Sequence, residues 1–216
     1  INFRGRGQVL SIDYTRGIQQ QGGYSSSISS SSNNSDYESF SFSFREPSIK
    51  NTPISIGTSI SHSEQGKDNN TYLKYDIISD RLSLSIGRKF NLFNHLLRAG
   101  WTMSYRETKY YGEENILLED FSESILKKSG NQSYASRVGI SITQRFSRDT
   151  RDFPDFPTKG TNISWSTTFS GDILGGNENY HKNVLDFKWF TSLKQNPNFV
   201  QYQDFKFGVT KEIGEN

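Results

Sequence analysis

"YESFSFSFR", residues Tyr37 to Arg45, sets Phe40, Phe42 and Phe44 on one parity and Ser39, Ser41 and Ser43 on the other. A period of two sends alternate side chains to opposite faces of a β-strand, so the stretch reads as a strand with one face of rings and one of small hydroxyls. The alternation continues in both directions. Leu10, Ile12 and Tyr14 alternate with Val9, Ser11 and Asp13; Ile54, Ile56 and Ile60 alternate with Ser55, Gly57 and Ser59. Leu82, Leu84 and Ile86 stand against Ser83, Ser85 and Gly87, while Leu97, Ala99, Trp101, Met103 and Tyr105 stand against Arg98, Gly100, Thr102 and Ser104. Further on, Val138, Ile140 and Ile142 alternate with Arg137, Gly139, Ser141 and Thr143, and Ile163, Trp165 and Phe169 with Asn162, Ser164 and Thr168. With two noisier stretches near Asn183 to Phe190 and Tyr202 to Thr210, the chain reads as all-β with about nine strands, at the spacing of sandwiches and barrels.

The second face separates those architectures. A soluble sandwich commonly carries Lys and Glu outside its packed core, whereas here the polar face is mostly Ser, Thr and Gly with occasional Arg and Asp. Such a face suits the wet interior of an antiparallel transmembrane β-barrel whose other face meets lipid, and it reconciles a mean hydropathy of -0.72 with a membrane location. A Ser-rich soluble sandwich that binds sugars is the competing architecture. The roughly 18 consecutive apolar residues of a membrane helix occur nowhere. Apolar area comes from 16 Phe and 11 Tyr, with a single Met, a composition suited to pleated surfaces. The absence of cysteine excludes disulfides, thiolate metal sites and a Cys nucleophile. The 25 basic and 23 acidic residues are spread without blocks, which excludes a nucleic-acid footprint.

Connections alternate in length. Glu46 to Pro53, Asn91 to His95, Asp149 to Lys159 and Gln195 to Asn198 are the shorter ones; Ser25 to Asn34, Glu64 to Asn70, Glu113 to Gly130 and Gly171 to Asn179 are the longer. Outer-membrane barrels keep short turns on the periplasmic side and longer loops outside, so the first group is expected in the periplasm. "NILLEDFSESILKK", Asn115 to Lys128, has helical spacing with acids early and lysines late, and is expected as a short loop helix over the barrel mouth.

"RDTRDFPDFPTKGTNISW", Arg148 to Trp165, resembles the turn-and-strand signature of the BamA-like outer-membrane assembly barrels. "GGNENYHK" (175–182) resembles that family's next loop and strand start, "NFRGRGQ" (2–8) the turn that opens an early strand, and "SFSFREPSIKNTPISIG" a strand-turn-strand, all in the family's order. The resemblance covers nearly the whole chain. It implies an insertase of the bacterial outer membrane that folds client β-barrel proteins into the bilayer, with outer-membrane lipids, unfolded clients and accessory lipoproteins or envelope subunits as partners, and with no cofactor. A two-partner secretion transporter of the same superfamily is the alternative. Residues 1–216 would then hold the family's third to about eleventh strands of a barrel of about 16. The family's periplasmic repeat domains, closing strands and lumenal loop motif lie outside this sequence.

Within that frame Phe40, Phe42, Phe44, Ile54, Ile56, Leu82, Leu84, Ile86, Val138, Ile140, Ile142, Ile163 and Trp165 are the expected lipid-facing set. Asp149, Arg151, Asp152, Pro154, Pro157, Lys159 and Gly160 form the expected periplasmic turn, with the prolines outside the ladder and the glycine returning the chain to the sheet. Phe153 and Phe156 are expected at the lipid-water interface. Reading Asp149 and Asp152 as a carboxylate pair for acid-base or metal chemistry is the weaker alternative, since arginines flank them and no His is near in sequence. His62, His95 and His181 lack ligand spacing and are expected exposed; no phosphate loop or nucleophile elbow occurs, which points away from an enzyme.

Overall fold

The computed structural model describes residues 2–3, 7–19, 35–67, 74–92, 95–193 and 196–213. Its strands are β1 (Asn2–Phe3), β2 (Gln8–Gln19), β3 (Ser35–Glu46), β4 (Ile54–Gln65), β5 (Asp76–Leu92), β6 (His95–Gly112), β7 (Leu126–Ser129), β8 (Gln132–Asp149), β9 (Gly160–Ser170), β10 (Tyr180–Leu193) and β11 (Asn196–Glu212), with one α-helix, α1 (Glu114–Asp120). Ten of them pair antiparallel in chain order from β1 to β11, and β7 pairs beside β8. The nine long strands are the nine read from sequence. Several are longer than alternation indicated: β5 has 17 residues, β6 and β8 have 18 each, beyond the roughly 9–11 that cross a bilayer.

Register turns the separate alternations into two continuous faces. Ile12, Phe42, Ile60, Leu82, Tyr105 and Ile140 stand opposite one another in a row across six strands. The next row on that face is Leu10, Phe44, Thr58, Leu84, Met103, Ile142 and Phe169. On the other face Ser11, Ser43, Ser59, Ser83, Ser104, Ser141 and Ser170 make a matching row of serines. Two of its neighbours bond through their hydroxyls, Ser59 to Ser83 at 2.7 Å and Ser104 to Ser141 at 2.8 Å. A slip of one residue would reverse every side chain on a strand, so the pattern pins the pairing.

Among the described residues no second sheet covers the apolar face. Among the described residues the buried hydrophobics are Tyr75, Ala99, Leu117 and Ala135, while Ile12 is 63% exposed and Leu84 54%. A water-soluble sandwich hides such residues in a dry core; here they point away from the protein, and the sandwich alternative falls.

The Asn115 to Lys128 segment differs from the expected helix. α1 has seven residues and ends at Phe121, whose backbone is extended; a single 3-10 turn spans Glu123–Ile125, and Leu126 onward is strand. Lys127 and Lys128 are therefore in β7, not at a helix C-terminus, although Lys128 still reaches Glu114 at 2.8 Å. The Gly130-Asn131 step, with Gly130 at φ +62°, closes a tight hairpin between β7 and β8, and that pairing takes the residues a longer helix would need. The expected loop at Ser25 to Asn34 lies outside the described residues, as do the residues 68–70 of the Glu64 to Asn70 loop and parts of the turns at Asn91 to His95 and Gln195 to Asn198.

Candidate functional site

The sheet offers two surfaces and two decorated ends. All thirteen residues expected to face lipid fall on one face by register, including Ile54, Val138, Ile163 and Trp165, which sit in the outer rows of that face. Phe40, Ile56, Leu82, Leu84, Ile86, Ile142 and Trp165 are exposed; Phe42, Phe44, Ile54, Val138, Ile140 and Ile163 are half-buried under neighbouring side chains. The three tryptophans, Trp101, Trp165 and Trp189, are all on this face near the short-turn end, where Trp101 packs edge-on to Phe146 and Phe146 stacks on Trp165 at 5.9 Å. Amphipathic rings gather where a bilayer meets water. Toward the other end the same face becomes charged: His62 lies 2.6 Å from Asp80 and 3.1 Å from Glu64, and Lys109 lies 3.6 Å from Glu107. His62 of β4, its side chain 41% exposed as expected, is thus paired with two acids, whereas His181 is half-buried and stacks on Phe169 at 4.1 Å; the His95 side chain lies outside the described residues.

The turn after β8 is built from its charges. Arg151 donates Nε and Nη2 to the two carboxylate oxygens of Asp149, at 2.9 and 2.8 Å, and Nη1 to the Pro154 carbonyl at 3.0 Å. Asp152 accepts from the Thr158 hydroxyl and from the amides of Phe153, Thr158 and Lys159. The Thr158 hydroxyl, with those amides behind it, holds the Asp152 carboxyl well below the usual carboxylate range. Each aspartate is held by its own donors, Asp149 by Arg151 and Asp152 by the far side of the turn. Pro154 and Pro157 lie outside the ladder and Lys159 is exposed. Gly160 re-enters the sheet at φ +106°, where a Cβ would lie 2.4 Å from the Thr150 carbonyl oxygen. Phe153 and Phe156 project from the turn, 62% and 86% exposed.

At the opposite end two connections fold over the serine face. α1 buries Leu117 completely, and Leu117, Phe121, Ile125 and Leu126 pack with Tyr75, just ahead of β5, and with Ile77, Tyr110 and Ala135, whose strand positions share the serine parity. Arg137, on the same face, lies 5.2 Å over the Phe121 ring. The Tyr75 hydroxyl donates to Asp120, which also takes Lys74 at 3.3 Å; burial, with the acid beside it, pushes the Tyr75 phenol up to about 12. The connection before β10 lies against β8, with Gly176 paired to Gly139 and the Asn177 amide donating to the Val138 carbonyl. Gly139 has no side chain, and Glu178 fills that space, where Arg106 binds it at 2.7 and 3.0 Å. Sequence reasoning missed this pair because the partners are joined only by the β6-to-β8 register.

The serine face therefore forms a concave polar wall, roofed at one end by α1 and the Glu178 connection. Arg81, Thr102, Ser104, Arg106, Ser141 and Lys182 line its middle.

Comparison with known proteins agrees with this geometry. A family model described as the Omp85 superfamily domain matches residues 2–216. The chain is 27% identical over 180 residues to the outer membrane protein assembly factor BamA of Nitratidesulfovibrio vulgaris (strain Hildenborough), covering 82% of this chain and 20% of that protein. Its fold is similar to the crystal structure of BamA from Haemophilus ducreyi lacking POTRA domains 1-3, with a TM-score of 0.61 at 15% identity, over 99% of this chain and 37% of the other. The chain thus spans about a fifth of the length of the first and little more than a third of the second.

Proposed function

This chain belongs to the Omp85 superfamily and is an outer-membrane β-barrel protein, and we propose that it supplies barrel wall to an assembly factor that folds and inserts other β-barrel proteins into the outer membrane. The observation that carries the proposal is the pairing of an uncovered apolar face with a polar face crossed by an unbroken row of serines from β2 to β9, in a chain similar to a protein named as such a factor. On this reading the thirteen expected residues meet lipid, the serine face lines the lumen, residues 1–216 are part of one barrel domain, and the Asp149 to Gly160 turn is periplasmic. The partners are outer-membrane lipids, unfolded barrel clients and accessory envelope subunits. The work needs no catalytic group: a barrel aids insertion by presenting strand edges and by perturbing the bilayer beside it, so Asp149, Asp152 and the histidines have structural roles.

Depletion of the protein in its own cells tests the proposal. An assembly factor predicts that many outer-membrane barrels lose their folded, heat-modifiable form together. Loss of a single exported polypeptide with porins intact would instead support a secretion transporter.

A further inference from the structure

The short-turn end of the polar wall carries a charge pattern that the packing of the sheet does not account for. Arg45, Lys89, Arg98 and Arg145 all lie on the serine face of β3, β5, β6 and β8, and all four are exposed. Lys89 stands directly opposite Arg98, an arrangement that destabilises a sheet because like charges repel. Among the described residues the side chains of Arg45 and Lys89 have no hydrogen-bond or ion-pair partner, Arg98 feels the charge of Asp149 without bonding to it, and Arg145 reaches only the Ser164 hydroxyl, at 3.2 Å. The acid beside them, Asp149, has both oxygens engaged by Arg151.

Charge on the same face of β10 and β11 is arranged differently. There Asp186 faces Lys206, and Lys188 faces Asp204 with 3.6 Å between their charged atoms. The sheet balances its charges in that place and leaves them unbalanced between β3 and β8. The floor between the four cations carries only small groups: Gly87 faces Gly100 and, across the other neighbour, Ser55, whose hydroxyl covers it, and the three help bound a cavity of about 380 Å³. A floor of glycine and serine lets a main chain approach closely, and an arginine fork binds a carboxylate through two parallel bonds.

We propose that this basic floor docks an acidic, extended segment of polypeptide at the short-turn mouth of the lumen. Carboxylates on alternate residues of an extended chain recur about every 6.6 Å and on one side, a spacing that serves cations set one or two strands apart, since neighbouring strands are about 4.8 Å apart. A lipid phosphate fits less well because the cations lie on the face opposite the apolar one. The proposal rests on that face being the lumen, not on the assembly role, and a binding measurement tests it whether or not the protein inserts clients.

The probe is a fluorescein-labelled decapeptide of alternating Glu and Ser, titrated by fluorescence anisotropy against the intact protein in lipid nanodiscs. The expected result is binding that weakens with salt, is absent for the Lys-Ser peptide, and falls about tenfold or more in the Lys89→Gln/Arg98→Gln variant. Arg148→Gln/Lys211→Gln, which removes two cations from the opposite face, should leave affinity unchanged. The Lys89→Gln/Arg98→Gln variant should also melt no lower than the parent, because it removes a repulsion; a purely structural role for the pair would lower it. Should that variant fail to fold, Arg45→Gln is read in the same titration and should weaken binding too. The proposal is overturned if the acidic peptide does not bind, if the Lys89 and Arg98 substitutions leave affinity unchanged, or if anionic-lipid vesicles displace the peptide by taking the site.

Discussion

Replacing Phe42 with arginine should be costly, and replacing its neighbour Ser41 with arginine should not. Phe42 lies between Ile12 and Ile60 on the apolar face, and Ser41 lies between Asp13 and Ser61 on the polar one. On β3 the apolar positions Phe40, Phe42 and Phe44 are bracketed by Glu38 and Glu46, eight residues apart on the same parity. At about 3.4 Å per residue that interval is about 27 Å, or about 21 Å of membrane height at a tilt near 40°, close to the apolar band of a barrel, with Phe42 at its middle. An arginine at that depth costs about 2 to 4 kcal/mol, equivalent to a roughly 30- to 800-fold fall in the folding equilibrium. Arginine at position 41 gains Asp13, whose carboxylate already accepts from the Ser41 hydroxyl at 3.3 Å, and should change stability by no more than about 0.5 kcal/mol. Reversible urea unfolding in short-chain phospholipid bilayers reads both. Equal losses at the two positions, or the larger loss at Ser41, would refute the assignment of faces.

Gly160→Ala should destabilise the barrel by about 1 to 3 kcal/mol, seen as a lower melting temperature, because the added Cβ meets the Thr150 carbonyl and Arg151 Cα at a left-handed φ. Leu117→Ala should loosen α1 by about 2 to 5 kcal/mol locally, so amides of 113–129 exchange faster while global unfolding is unmoved. Tyr75 has a folded pKa raised to about 12 against roughly 10 for a free phenol, so its contribution is complete below about pH 10 and is lost as pH rises toward 12. The near-ultraviolet difference titration of the parent against Tyr75→Phe should show one tyrosine ionising well above 10; ionisation at the free value would deny the buried contact with Asp120.

The faces were legible in the sequence because a period of two needs no knowledge of neighbours: Phe40, Phe42 and Phe44 declare themselves in six residues. The turn was legible for a similar reason, since Pro154, Pro157 and Gly160 restrict the backbone locally, and Arg151 finds Asp149 two residues away. Strand length was less so. β6 runs on through Glu107 to Gly112 because those residues pair with β8 after their alternation becomes polar, and no single strand reveals that. The helix was overestimated because Ile125 and Leu126 fit a helical stripe as well as a hairpin, and only the Gly130 turn and the β8 partner decide. Arg106 with Glu178, 72 residues away, and the facing of Lys89 by Arg98 are products of register and could not be read before it.

The central claim is that the phenylalanine face meets lipid and the serine face meets water. The chain has no cysteine, so a single nitroxide label can be placed in turn at each position from Ser39 to Phe44 in the membrane-reconstituted protein. Electron paramagnetic resonance should then show oxygen, which partitions into lipid, relaxing labels at Phe40, Phe42 and Phe44, and a water-soluble nickel chelate relaxing those at Ser39, Ser41 and Ser43. The opposite phase, or no alternation along β3, would contradict the account.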